Sequence, residues 1–144
     1  MRYLALLAPV ALLACHDASD PDKQRVVGLI DPGRNTPPVL VAPAEVAVHE
    51  RFIVTVHTVG SSDCTQPDGA SVVVEGDLVR IVPYDIVPMP GHTDVCREDY
   101  APHAHPLPLT LSRAGTARLR VVGRRPAGRD GVPDSVEVGV AVFP

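Results

Sequence analysis

From Arg51 to Val59 the chain reads RFIVTVHTV, with Phe52, Val54 and Val56 at one parity and Arg51, Thr55 and His57 at the other. A period of two is the pattern of a strand with one buried face. The same alternation runs through PLPLTLS at 106–112, TARLRVV at 116–122, and SVEVGVAV at 135–142, where valine takes every second position. Shorter strands are predicted at 26–30, 38–42, 45–48, 71–75 and 77–82, the last two joined by a hairpin turn at Glu75-Gly76. No stretch shows an apolar period of 3.6 residues, and 16 prolines would break most helices. Pro106 and Pro108 fall inside a strand pattern, which places that strand at a sheet edge. Roughly seven to nine short strands with turns between them predict an all-β fold, an antiparallel β-sandwich.

The first apolar segment, Leu4 to Ala14, does not belong to that pattern. It is about half the ~20 residues a membrane-spanning helix needs. With Arg2 before it and the small Ala14 before Cys15, it has the layout of a secretory signal. Leu12-Leu13-Ala14-Cys15 resembles the lipobox of bacterial lipoproteins. The resemblance implies a signal peptide over 1–14, a diacylglyceryl group on the Cys15 thiol and acylation of the new N-terminus. Residues 15–25 are then a polar, acidic tether, and 26–144 the domain it carries. Several acyl chains together give stable anchoring where one does not. His16 in place of an aspartate favours the outer membrane under enterobacterial-type sorting.

Export changes the reading of the other two cysteines. Cys64 and Cys96 form an even pair in an oxidising compartment and are expected to make a disulfide. Closing a loop of that length would contribute about 3–4 kcal/mol on the chain-entropy picture. LSRAGTARLRVVGR (111–124) resembles the turn-and-strand unit of bacterial immunoglobulin-like domains, which precedes a valine-rich last strand such as 135–142. PAEVAVHERFIVTV (43–56) is similar to their opening strands. The resemblance implies an immunoglobulin-like sandwich.

Charge and composition exclude some functions. The formal net charge is −4, and loss of Arg2 makes it one unit more negative, which argues against a nucleic-acid partner. Outside the signal the only aromatic residues are Phe52, Tyr84, Tyr100 and Phe143, too few for a stacking platform. GSSDC (60–64) near His57 lacks the glycine-framed elbow of a serine nucleophile. No glycine-rich phosphate loop occurs.

Two features hold candidate chemistry. Arg113, Arg118, Arg120, Arg124, Arg125 and Arg129 stand in a stretch with no acid; they form either a solvated face or a contact for an anionic envelope polymer or lipid headgroups. The segment 88–106, expected as a long loop, holds His92, His103 and His105, and the last two point to one side about 7 Å apart in extended chain. Such a pair can chelate zinc or copper, yet a specific site needs at least three converging ligands. No tight metal site and no cofactor are therefore expected. The sequence points to a non-enzymatic structural or binding module anchored by lipid in the cell envelope, with an envelope protein or anionic polymer as partner. A periplasmic metal-binding protein using His92, His103 and His105 is the alternative.

Overall fold

A computed structural model describes residues 21–91, 93, 95–128 and 133–144. The signal segment, Cys15, His92 and Arg129 lie outside the described residues. Among those described there is no helix. Nine strands follow in order: β1 (Lys23–Val27), β2 (Leu40–Val41), β3 (Glu45–Ala47), β4 (Arg51–Gly60), β5 (Gln66–Glu75), β6 (Leu78–Pro88), β7 (Ala101–Thr110), β8 (Gly115–Val122) and β9 (Ser135–Phe143).

The strands form two sheets. The smaller has the order β2-β4-β7 and is antiparallel throughout. The larger is built around β6, which pairs with β5 along one edge. Its other edge is shared between β8 near Leu78–Ile81 and β1 near Tyr84–Pro88. β9 and then β3 continue the sheet beyond β8. The expectation of a wholly antiparallel fold is corrected at two places, since β6 pairs with β8 and β3 pairs with β9 in parallel. The reason lies in the tight β5–β6 hairpin. It sets β6, the second strand of the hairpin, beside β8, and β6 and β8 run the same way.

Alternation decided which faces meet. Val54 and Val56 of β4, Leu107 and Leu109 of β7, Val79 and Ile81 of β6, Leu119 and Val121 of β8, and Val140 and Val142 of β9 fill one buried cluster between the sheets. β-branched residues stand upright on a pleated surface, so valines can fill this space with Phe52 as the one aromatic ring.

The segment expected as a loop over 88–106 is shorter than that, because β7 already begins at Ala101. Odd positions of β4 face β2 and the chain before it, as the bonds from the His57 and Val59 N–H groups to the Val39 and Leu29 carbonyls show. Even positions of β4 therefore face β7 and, in this register, bond its odd positions. Pro102, Pro106 and Pro108 occupy even positions of β7 and point their missing N–H at the open edge. Five more strand residues, Ala101 to His105, are therefore tolerated ahead of the predicted start at Pro106.

Gly28 lies where two stretches of chain cross closely. A Cβ there would stand 2.3 Å from Thr58 Cγ2 and 3.0 Å from Asp85 Oδ2. Gly28→Ala is expected to destabilise the fold by about 1–3 kcal/mol. Urea unfolding checks this, with Gly139→Ala, where the nearest atom to a Cβ lies at 3.6 Å and φ is likewise not positive, reporting the cost of replacing a strand glycine without the clash.

Candidate functional site

Continuing each buried face along its strand, by two residues in β4 and β7 and by four in β6, leads to three polar side chains. Thr58 extends the parity of Val54 and Val56, Asp85 that of Val79 and Ile81, and His105 that of Leu107 and Leu109. All three are almost wholly buried, at 0%, 1% and 2% exposure. Thr58 donates from Oγ1 to Asp85 Oδ1 at 3.1 Å, and His105 Nε2 lies 3.1 Å from both the Thr58 hydroxyl and Asp85 Oδ1. His105 Nδ1 donates to the Gly69 carbonyl of β5 at 3.1 Å. One histidine of the small sheet is thereby fastened to two strands of the large one.

Donor counting sets the charge of this cluster. A carbonyl only accepts, so Nδ1 carries a hydrogen. The contact between Nε2 and Asp85 Oδ1 then needs a second proton, on one atom or the other. Either placement makes the pair neutral overall, which is how a carboxylate can be taken out of water without prohibitive cost. Sequence reasoning missed Thr58 and Asp85. The signal was there: each is a polar residue at the parity of a buried apolar row.

The arrangement resembles a hydroxyl–imidazole–carboxylate set in composition but not in geometry. A catalytic imidazole uses one nitrogen for the nucleophile and the other for the acid; here one nitrogen faces both, and the site is closed to solvent. It also removes His105 from the candidate metal pair, because both ring nitrogens are engaged. His103 lies two residues earlier, half-buried, and its Nε2 has no hydrogen-bond partner among the described residues. His57 Nδ1 is bonded to the Pro38 carbonyl at 2.9 Å, and the Ser61 hydroxyl donates to Asp63, so these residues form no nucleophile pair.

Cys64 and Cys96 lie at disulfide distance, with Cα atoms 5.7 Å apart, and join the β4–β5 turn to the segment before β7. Two carboxylates reinforce the joint in opposite directions. Asp63 accepts from the Arg97 N–H at 3.1 Å and Asp99 from the Ser62 N–H at 2.8 Å. The Ser61 hydroxyl, followed by the Arg97 N–H, holds the Asp63 carboxyl below its ordinary range, and the Ser62 hydroxyl and N–H do the same for Asp99. Asp63 and both cysteine sulfurs are close enough to surround an ion, but sulfurs bonded to each other are not thiolate ligands.

Tertiary neighbours alter the arginine stretch. Arg118 meets Asp77 of the β5–β6 turn at 3.1 Å and Glu137 of β9 at 3.8 Å, while Arg120 meets Glu137 at 2.7 Å. Arg124 donates to the Val27 carbonyl. Arg113 and Arg125 have no ion pair among the described residues. Arg113 lies on the rim of a shallow depression of about 310 Å³ between the β5–β6 turn and the β7–β8 loop.

No known family, curated protein or solved structure matches this chain.

Two outcomes follow from these contacts. Asp85→Ala strands a buried imidazole and hydroxyl and is expected to cost about 3–5 kcal/mol. Asp85→Asn, which can still donate and accept, should cost less; chemical unfolding of both variants measures the difference. The second concerns acid. Because the Asp63 and Asp99 carboxyls are held below their unfolded values, their contribution is fully present above about pH 4 and is lost as pH falls through the depressed values. The drop in urea midpoint between neutral pH and pH ~3 should be smaller in the Asp63→Asn/Asp99→Asn variant than in the unaltered chain.

Proposed function

We propose that this chain is a lipid-anchored protein of the bacterial cell envelope, directed to the outer membrane, and that its domain is a non-enzymatic binding module of immunoglobulin-like type. The observation that carries the reading is the N-terminal layout: an apolar run too short to span a bilayer, Leu12-Leu13-Ala14-Cys15, and a polar segment after it. A pair of cysteines suited to an oxidising compartment supports it.

One arrangement of strands favours the immunoglobulin-like reading. The β4–β7 pair lies in one sheet and the β8–β9 hairpin in the other, with β3 returning beside the last strand. The parallel β6–β8 pair distinguishes this domain from antibody-type sandwiches, whose sheets are antiparallel.

A binding role is favoured over catalysis because the one hydroxyl–imidazole–carboxylate cluster among the described residues is sealed in the core. It is favoured over zinc or copper binding because His105 would have to abandon Gly69 or Asp85 to act as a ligand. An anionic polymer is the lesser partner, since Arg118, Arg120 and Arg124 already have protein partners.

Mass spectrometry of the protein extracted from membranes of its native host should find an acylated peptide beginning at Cys15. Cys15→Ser should release the protein to the soluble fraction. An unmodified amino terminus elsewhere on a soluble protein would overturn the anchor.

A further inference from the structure

The two sheets treat their edges unequally. β2 and β3 are edge strands of two and three residues, too short to template another chain. β1 begins with Lys23 and includes Arg25, and charge guards an edge. β7 is long, but its outward backbone positions hold Pro102, Pro106 and Pro108. β5 is the exception: long, at the margin of the large sheet, and valine at three successive positions, with Val72, Val73 and Val74 exposed by 37%, 48% and 58%.

The register of β5 shows which of its backbone groups are open. Gly76 has φ +67° while Asp77 does not share a positive φ, so Glu75 and Leu78 close a two-residue type II′ turn. In such a turn the closing pair exchanges hydrogen bonds, and bonded pairs then recur at every second residue. Val73 and Ser71 therefore bond β6, and Val72 and Val74 direct their N–H and C=O groups outward. The opposite edge of β6 confirms the parity, because the Asp77 and Pro83 carbonyls accept from Arg118 and Gly28 on that side.

Side chains add a second constraint. Val72 and Val74 stand opposite Ile81 and Val79, so they belong to the inner face, where Ile81 and Val79 are 0% and 1% exposed. They stay exposed because the three-stranded sheet ends at β7 and the larger sheet overhangs it. Beside this overhang is the depression bounded by Val74, Gly76, Thr110, Leu111, Arg113 and Ala117.

We propose that β5 over Ser71–Glu75 is a docking strand for an extended, alternately apolar segment of a partner protein. The segment adds to the sheet through the outward groups of Val72 and Val74. It seats one apolar side chain between Val74 and Leu111 and brings a carboxylate to Arg113, the rim cation with no acid among the described residues. Strand addition of this kind takes affinity from main-chain bonds and specificity from alternate side chains.

A second copy of this chain fits less well. Five residues give a strip ~17 Å long and one strand wide, far below the roughly 800 Å² per partner of a stable interface. Antiparallel self-pairing would also point the two N-termini in opposite directions. The chain enters at Lys23 opposite Pro88, at the other end of β6 from the Glu75–Leu78 turn, so the docking strand faces away from the anchor. The proposal rests on the binding-module reading; the anchor enters only in disfavouring a second copy.

The test uses the full chain and the synthetic peptide Ac-TVTVTVD as an amide, with two companions: one lacking the aspartate but ending in a free carboxylate, and one lacking both. Residue-resolved amide exchange should show protection of Val72 and Val74 on adding peptide, with Val73 already protected by β6. Fluorescence titration should show binding weakened about tenfold or more by Val74→Pro, by Val72→Pro, and by omission of both carboxylates. The two single-carboxylate peptides tell a side chain from a chain terminus as the group at Arg113.

Absence of protection at millimolar peptide, or equal binding by the proline variants, overturns the docking strand. Protection that rises with protein concentration alone assigns a second copy and overturns the partner chosen. Failure here with acylated Cys15 intact removes the docking strand and leaves the anchor; binding by a chain found unacylated removes the anchor alone.

Discussion

A carboxylate and an imidazole in a core of valines must be each other's solvent, and the fold is arranged around that requirement. His105 reaches out of the smaller sheet to the Gly69 carbonyl on one side and to Asp85 on the other, and Thr58 completes the triangle. Aliphatic packing sets the spacing of two sheets but only weakly their relative position, because one valine row slides over another at little cost. A buried hydrogen-bonded cluster has one satisfactory alignment. Gly28 belongs to the same arrangement, since any side chain there would displace Thr58 or Asp85.

The ends of the domain are held by different means. At one end the Cys64–Cys96 joint and the reciprocal Asp63 and Asp99 bonds tie together segments with little apolar surface to bury. A cross-link compensates there for a missing hydrophobic cluster. At the other end the β5–β6 turn is held by Arg118, which bonds the Asp77 carboxylate through its side chain and the Asp77 carbonyl through its backbone. The arginine pairing with Asp77 holds that carboxyl below its ordinary range and raises the guanidinium in turn.

Edge chemistry separates the two sheets. Prolines at one parity of β7 remove N–H groups that had no partner, so the strand keeps its buried leucines while refusing another chain. β5 has Pro67 and a bulge at its start but no such protection over Ser71–Val74, where it projects past the smaller sheet. An unguarded apolar edge is an aggregation hazard for any domain. Its restriction here to one short strip beside a depression gives it the dimensions of a recognition surface.

The sequence by itself determined the strands, because a period of two is a local property. Four strong alternations and five weaker ones each overlap one of the nine strands, although β1 shares only Val26 and Val27 with the predicted 26–30 and starts at Lys23, inside the stretch read as tether; the turn at Gly76 was readable from one residue. The prolines of β7 correctly marked an edge. What the alternation could not decide was which strand lies beside which: β6 beside β8 in parallel depends on how the β5–β6 hairpin docks on the rest, and that is settled by packing between residues distant in sequence. The same holds for chemistry. An acid-free run of arginines became a set of ion pairs once Asp77 and Glu137 came alongside, and a chelating histidine pair became one core histidine and one half-buried neighbour. A residue's partners are a property of three-dimensional neighbourhood, and only the tertiary structure brings Thr58, Asp85 and His105 to one point.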